Sequence, residues 1–481
     1  MSQTLIEQQP LANPGTIDTV LPVGQEIIYT VSNSQVVSNF TSVKFIAEVY
    51  ISNGIPPNVS MTDDLVGTFK TTPNNAGVGM FNFRPIIESF VNTDNLARVG
   101  SAYKQPANPP AVVNTVDTNV PIHLIDRYSG NLNTARYFIV KFKVEYIDAL
   151  GDFVTDNEVI SGLTVIFNGY LKYSDELILS GVNFGYDLYS NFLLDGVTKK
   201  FLTNAPTTQY ANLDDYGTVA LLMYKAYSPQ NLDGTVSVEI RYYNSAGAFI
   251  NYEEIYHIPA NGGFDYPQSD IQASILFFGM FPANLQGSST MFQGLVTAGT
   301  IQGGHYELVV MNDAGQIMSS RYTVNLNCPT LKGFEPIRLT WLNQWGAWDY
   351  YTFTMKSINT ISTKGSTYQQ LEGSWNESAY RIDSFKGGKK AFRVNATEKI
   401  QMNTDFVSEA DSEWFQDLIN SPEVYILEGF KTDTTNSSLN KYVTPVRLTT
   451  SSYTKKTVAN DKLMQYTFEV EKTKTLRTQA I

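Results

Sequence analysis

The chain has 481 residues, of which 42% are hydrophobic and 17% charged, with a formal net charge of −12. That length exceeds what one hydrophobic core serves, and the balance is that of a folded chain, so several domains are expected and a disordered chain is excluded. A single cysteine, Cys328, rules out an intrachain disulfide and a cysteine-based zinc site, and three histidines leave little for metal or acid–base chemistry.

Residues 1–28 hold Pro10, Pro14 and Pro22 among Gln and Thr and read as an extended N-terminal arm, suited to packing on a neighbouring subunit. A first β domain is expected over 29–155. In it Phe45, Ala47, Val49 and Ile51 alternate with their neighbours, and Pro85 opens a short amphipathic helix through Ile86, Ile87, Phe90 and Val91. Residues 104–121, with Pro106, Pro109 and Pro110, read as an extended loop. Phe138, Val140, Phe142, Val144 and Tyr146 then alternate with polar or mixed partners, the pattern of a half-buried antiparallel strand.

Residues 156–226 read as a β-rich connecting domain and 227–335 as a β-sandwich. Within the latter a short helix is expected near 270–278, because Ile271, Ile275 and Phe278 share a helical face and Gly279 and Pro282 bound it. The C-terminal β domain, 336–481, carries a second expected helix near 409–420. There Ser408 and Asp411 make a capping-box pattern, Trp414 and Leu418 fall at helical spacing, and Ser421-Pro422 stops it.

One device recurs. An apolar strand runs into Asn or Asp, two residues, then Gly, at Asp148 to Gly151, Asn244 to Gly247, Asn312 to Gly315 and Asn343 to Gly346. The Asn or Asp side chain bonds its own backbone, and Gly tolerates φ > 0, so each reads as a type I turn closed by a G1 bulge. The expected fold is mainly β: several antiparallel, Ig- or FnIII-like sandwich domains in tandem, with a few short helices.

Chemistry-bearing patterns are thin. Gly77-Val-Gly79 lacks the third glycine and the βαβ setting of a dinucleotide loop. Asp63-Asp64, Asp175-Glu176, Asp214-Asp215 and Glu253-Glu254 are adjacent acids, but neighbours on a strand point to opposite faces, so none makes a glycosidase pair. Asp214-Asp215 before Gly217 could hold calcium, with turn chemistry the commoner explanation. No catalytic residue, cofactor or metal is expected. No run of 18 apolar residues exists and the first residues lack a basic or apolar signal pattern, so neither a membrane span nor a Sec-type signal is expected.

Two segments are candidate interfaces. Trp345, Trp348, Tyr350 and Tyr351 lie in the densest aromatic stretch, readable as core, as a protein interface or as a carbohydrate-stacking platform. Lys386, Lys389 and Lys390 flank Gly387-Gly388 beside Phe385, Phe392 and Arg393, a basic hairpin tip suited to a salt-linked subunit contact. The acidity of the whole chain argues against sequence-specific nucleic-acid binding. Residues 1–330 carry 15 basic against 29 acidic side chains and residues 331–481 carry 19 against 17, which reads first as two domains of different composition and, more sharply, as complementary faces for head-to-tail assembly in a ring.

The run Ile337-Arg338-Leu339-Thr340-Trp341-Leu342-Asn343, then Gly346, Trp348-Asp349-Tyr350-Tyr351 and Phe353, resembles a segment of structural proteins of tailed bacteriophages that infect Bacteroidota, crAss-like phages included. Trp414, Leu418, Ile419, Ser421-Pro422, Val424-Tyr425 and the stretch from Tyr442 to Leu448 follow in the same order. Ile28-Tyr29, Phe81-Asn82-Phe83, Pro85-Ile86-Ile87, Phe90-Val91 and Phe201-Leu202-Thr203-Asn204-Ala205-Pro206 share the likeness. The resemblance implies a non-enzymatic virion protein made in the host cytoplasm, forming a ring of identical chains or a fibre adaptor in the tail, neck or baseplate. Its implied partners are itself and other virion proteins. Rival readings are a host-glycan-binding fibre module acting through Trp345 and Trp348, and a polysaccharide depolymerase.

Overall fold

The computed structural model describes residues 4–10, 18–52, 64–97, 121–125, 128–131, 133–172, 192, 197–224, 236–258, 273–311, 315–327, 334–376, 378–428, 443–452, 454 and 464–474. The fold is mainly β, with several separate sheets and a few short helices. Two compact units form. Unit 1 gathers the described residues up to 327 together with Leu342–Tyr350, and unit 2 gathers 334–341, Tyr351–Glu428 and the described residues from 443 on.

Unit 1 begins as a sandwich. One sheet orders the strands Asp18–Pro22, Leu163–Phe167, Ala135–Ile147, Thr41–Ser52 and Leu65–Thr71, with Phe153–Ile160 also paired to Ala135–Ile147. A second sheet holds Leu5–Gln8, Ile28–Ser32 and Val78–Asn82. The alternation along Ala135–Ile147 drives this: Phe138, Val140, Phe142 and Val144 are buried, while Lys141, Lys143 and Glu145 are half-buried on the other face. The inward set meets Tyr29 and Phe81, whose rings lie 5.6 and 5.7 Å from that of Phe142. The outer face is laced by cross-strand ion pairs, Lys143 to Glu48 at 2.7 Å and Lys70 to Glu145 at 2.6 Å, each worth under about 1 kcal/mol at a solvated surface.

The described residues of the first 28, 4–10 and 18–28, are paired within the chain. Leu5–Gln8 pairs antiparallel with Ile28–Ser32, and Asp18–Pro22 pairs in parallel with Leu163–Phe167. Each strand edges a sheet of its own sandwich, which gives the backbone donors of a Pro- and Thr-rich stretch partners inside the same chain.

The rest of unit 1 holds a three-stranded sheet, Thr218–Tyr224, Ala273–Gly279 and Tyr128–Gly130, and a five-stranded one. The latter orders Thr208–Ala211, Tyr322–Leu326, His305–Met311, Val236–Tyr243 and Phe249–Ile258. Tyr128–Gly130 pairs with Ala273–Gly279, so the stretches 29–155, 156–226 and 227–335 all build one unit. The helix expected near 270–278 is instead the strand Ala273–Gly279. Ile275, Leu276, Phe277 and Phe278 are all buried, because the strand is central, and a continuous apolar run suits a strand covered on both faces. Helices follow it at Pro282–Ser288, which Pro282 opens, and Thr290–Thr297, where the Ser289 side chain accepts from the Phe292 N–H.

Unit 2 draws on a seven-stranded sheet ordered Trp348–Phe353, Ile337–Leu342, Val424–Leu427, Val443–Leu448, Thr467–Lys472, Gly388–Asn403 and Ile358–Gln370. Against it packs the helix Glu409–Asn420. The Ser408 hydroxyl accepts from the Asp411 N–H, and the Asp411 carboxylate accepts from the Ser408 N–H at 2.9 Å, so both halves of the capping box form. Trp414 and Phe415 then place their rings 5.0 Å from Trp341 and 5.4 Å from Phe468. Replacing the cap, Ser408→Ala, is expected to destabilise unit 2 by about 1 kcal/mol. Urea unfolding followed through the emission of Trp341 and Trp414 checks it, and Asp411→Ala added to Ser408→Ala should cost little more, since the two share one motif.

Candidate functional site

The Asn/Asp-x-x-Gly turns form as the sequence predicts wherever they are described. At Asp148 the N–H bonds the Asp152 carbonyl, the side chain accepts from the Leu150 and Asp152 N–H groups at 2.9 Å, and Gly151 has φ +89°. Asn244 repeats this with Ala246, Ala248 and Gly247. Residues 312–314 lie outside the described set. A further copy at Asn74–Gly77 escaped the sequence reading; there Gly77 closes a tight turn between strands of two different sheets.

The Asn343 turn differs from the others in being buried. Its side-chain oxygen accepts from the N–H groups of Trp345 (2.9 Å) and Ala347 (3.1 Å). Its amide nitrogen donates to the Leu202 carbonyl at 2.9 Å and to the Asp349 carboxylate at 3.0 Å. All four hydrogen-bonding positions of one side-chain amide are thereby engaged. Asp349 also accepts from the Thr203 hydroxyl at 2.6 Å. The Trp345 indole N–H donates to the Asn204 side chain at 2.9 Å, and Asn204 donates to Gln344 at 3.0 Å. The Trp348 indole donates to the Asp94 carbonyl at 2.9 Å. The Tyr350 hydroxyl lies 2.9 Å from His123 Nδ1 and 2.8 Å from the Thr218 hydroxyl.

Leu342–Tyr350 is thus a plug inside unit 1, and Trp345, Trp348 and Tyr350 are each about 3% exposed. This corrects the expectation that they form an interface or a carbohydrate platform: their rings and polar atoms are taken up within the chain. Tyr351 falls in unit 2, half-buried, with its ring 4.9 Å from Phe415, and burial pushes its hydroxyl pKa well up. The cavity beside the plug, lined by Thr203, Thr218, Trp348 and Asp349 among others, measures about 10 Å³, room for about one water and none for a substrate.

The acidic pairs do structural work where they are described. Asp215 accepts from the Asn212 N–H at 2.8 Å and is buried, which is turn chemistry. Glu253 accepts from the Tyr242 and Ser289 hydroxyls, whereas Glu254 accepts from Ser237, in keeping with neighbours on opposite faces. Asp63, Asp175 and Glu176 lie outside the described residues. Among the described residues no group of three His, Cys, Asp or Glu side chains is placed to hold a metal ion.

Lys386, Lys389 and Lys390 lie elsewhere, on a β ribbon in unit 2. Lys386 pairs with Asp383 at 2.8 Å, Lys390 donates to the Phe385 carbonyl at 2.6 Å, and Lys389 is exposed. The hydrogen bond from Lys386, then that from Ser374, holds the Asp383 carboxyl below the usual carboxylate range. Beside the Phe385 and Phe392 that the sequence places next to these lysines, both exposed, Ile361, Tyr368 and Val394 are exposed on the ribbon and Leu371, Trp375 and Ile382 on the hairpin segment between its strands.

No protein-family model matches the chain, and no curated protein matches it. Among solved structures it is similar to the native conformation of E. coli alpha-2-macroglobulin, with 8% identity, 83% of this chain and 22% of that chain covered, and a TM-score of 0.17. It is likewise similar to a Salmonella alpha-2-macroglobulin mutant, with 7% identity, the same coverages of 83% and 22%, and a TM-score of 0.18. The chain therefore spans less than a quarter of either structure's length, and scores this low mark no common fold across it.

Two glycines separate the buried turn from an open one. Both Gly151 (φ +89°) and Gly346 (φ +70°) have left-handed backbone, but a Cβ at 346 would sit 1.9 Å from the Asn168 carbonyl while one at 151 meets nothing within 4 Å. Gly151→Ala is expected to cost about 1 kcal/mol, from φ alone, and Gly346→Ala about 3 kcal/mol or more. Chemical denaturation followed by the emission of Trp345 and Trp348 measures both.

Proposed function

We propose that the chain is a non-enzymatic structural component of a tailed-phage virion, assembling as an oligomeric ring or adaptor in the tail, neck or fibre-anchoring region. The observation that carries this reading is the placement of the residues that resemble phage structural proteins. Segments 201–206 and 343–349 are about 140 positions apart in sequence, yet Asn343, Trp345 and Asp349 hydrogen-bond Leu202, Asn204 and Thr203. In unit 2, Trp341, Trp414 and Phe415 form one aromatic cluster. What the resemblance carries is largely buried scaffold, so the function it supports is one that a scaffold performs. Assembly needs exposed apolar surface on a rigid β frame, and the ribbon of unit 2 offers it.

A second reading, glycan binding by a fibre module, keeps one specific observation in its favour. Trp375 and Tyr380 are directly opposed across the strands Gly373–Asn376 and Ala379–Ile382, 73% and 51% exposed. Such a pair can stack on a sugar ring. Mass spectrometry of purified particles is expected to find this chain at a fixed multiple of the other virion proteins. Its absence from particles, combined with glycan-array binding that Trp375→Ala abolishes, would replace the structural reading with the adhesin one.

A further inference from the structure

The strands Ile358–Gln370 and Gly388–Asn403 pair over their whole common length, from Ile358 opposite Gln401 to Gln370 opposite Gly388. Only the last five residues of the second strand, Lys399–Asn403, also pair with Thr467–Lys472. Beyond them the two strands form a ribbon with no third strand among the described residues. The change is visible in burial: Ile400 and Met402 are buried, whereas every residue of Ile358–Gln370 before the last is exposed. The root is held by Glu398, which pairs with Lys472 at 3.0 Å and accepts from Asn359 at 2.7 Å.

A two-stranded ribbon is at best marginally stable in water by itself. This one runs for ten residues beyond the third strand, 361–370, about 33 Å at about 3.3 Å per residue. It also concentrates apolar surface. Ten of the 23 exposed large hydrophobic side chains of the described residues fall between Ile358 and Val394, five of them on the two ribbon strands and five on the hairpin Gly373–Ile382 and the turns that join it to them. The pairing register puts apolar side chains on both sides of the ribbon: Ile361 shares one side with Val394, while Tyr368, whose ring lies 6.3 Å from that of Phe392, is on the other with Lys364 and Arg393. Natural proteins seldom leave a long apolar edge of this kind open, because it templates pairing with another chain.

Charge points to what covers it. Residues 358–398 carry six basic side chains against four acidic ones, while residues 1–330 carry 15 against 29. The basic, apolar ribbon therefore matches the acidic surface of the same chain's own N-terminal two-thirds. We propose that the ribbon of residues 358–398 docks on residues 1–327 of a second copy of this chain, a head-to-tail contact whose repetition closes a ring. This rests on the assembly reading above and names the element that performs it.

The wild-type full chain, mixed as ¹⁴N and ¹⁵N copies and treated with a carbodiimide that joins amines to carboxylates, tests the contact without any variant. Heavy-to-light links from Lys389 or Lys390 to Asp or Glu within residues 1–327 are expected. Sedimentation velocity gives the second arm. The variant K386E/K389E/K390E/R393E, folded by circular dichroism, is expected to self-associate about tenfold more weakly or less still, and raised salt should weaken the wild type likewise. A wild type that stays monomeric, oligomers that survive the charge reversal, or heavy-to-light links that avoid the ribbon each overturn the proposal. None of these results removes the chain from the particle, which mass spectrometry judges separately.

Discussion

The tip of a hairpin can be buried only if its polar groups find partners there, and Asn343 meets that requirement for Leu342–Tyr350. One amide side chain closes its own turn through Trp345 and Ala347 and reaches Leu202 and Asp349 with its other end. Leaving any of these groups unpaired would cost about 1–3 kcal/mol each. With them paired, two tryptophans and a tyrosine become core of unit 1, and Gly346 can approach the Asn168 carbonyl more closely than any side chain would allow. The Asp94 carboxylate extends the same logic. It accepts from the Asn133 and Thr134 N–H groups and the Thr134 hydroxyl, fixing the loop whose carbonyl receives the Trp348 indole.

That arrangement explains why the densest aromatic segment carries no visible chemistry. Its rings are spent on packing and its polar atoms on pairing, and the gap beside it has room for about one water. The surface available for recognition lies instead in unit 2, on a ribbon whose apolar side chains are out in solvent. The division is physically coherent: a buried, fully paired plug gives rigidity, and an exposed ribbon with apolar side chains on both faces gives something to bind with.

Much of this was legible in the residues, and the failures have identifiable causes. Period-two alternation gave Ala135–Ile147 residue by residue, and the Ser408/Asp411 pattern gave the start of the helix Glu409–Asn420, because both signals are local. The strand Ala273–Gly279 was misread as a helix because a central strand is apolar on both faces, and such a run has no period to read. Asn343 looked like the other turns, since nothing local says that a turn will be buried; the Leu202 and Asn204 partners that bury it lie about 140 residues away. The ribbon was found by its lysines and the phenylalanines beside them, and its other hydrophobics were missed for the converse reason. Nothing local marks Ile361 and Val394 as exposed, and only the tertiary structure shows that nothing in the described chain covers them.

Hydrogen–deuterium exchange on the full chain measures the contrast on which this account turns. Amides of 343–350 should exchange as slowly as those of the sandwich strand Ala135–Ile147, since both depend on opening unit 1, while amides of 361–370 should exchange fast in dilute protein. Exchange at 343–350 as fast as in the ribbon would contradict the account, because the aromatic turn would then be a mobile surface segment and not the plug that holds unit 1 together.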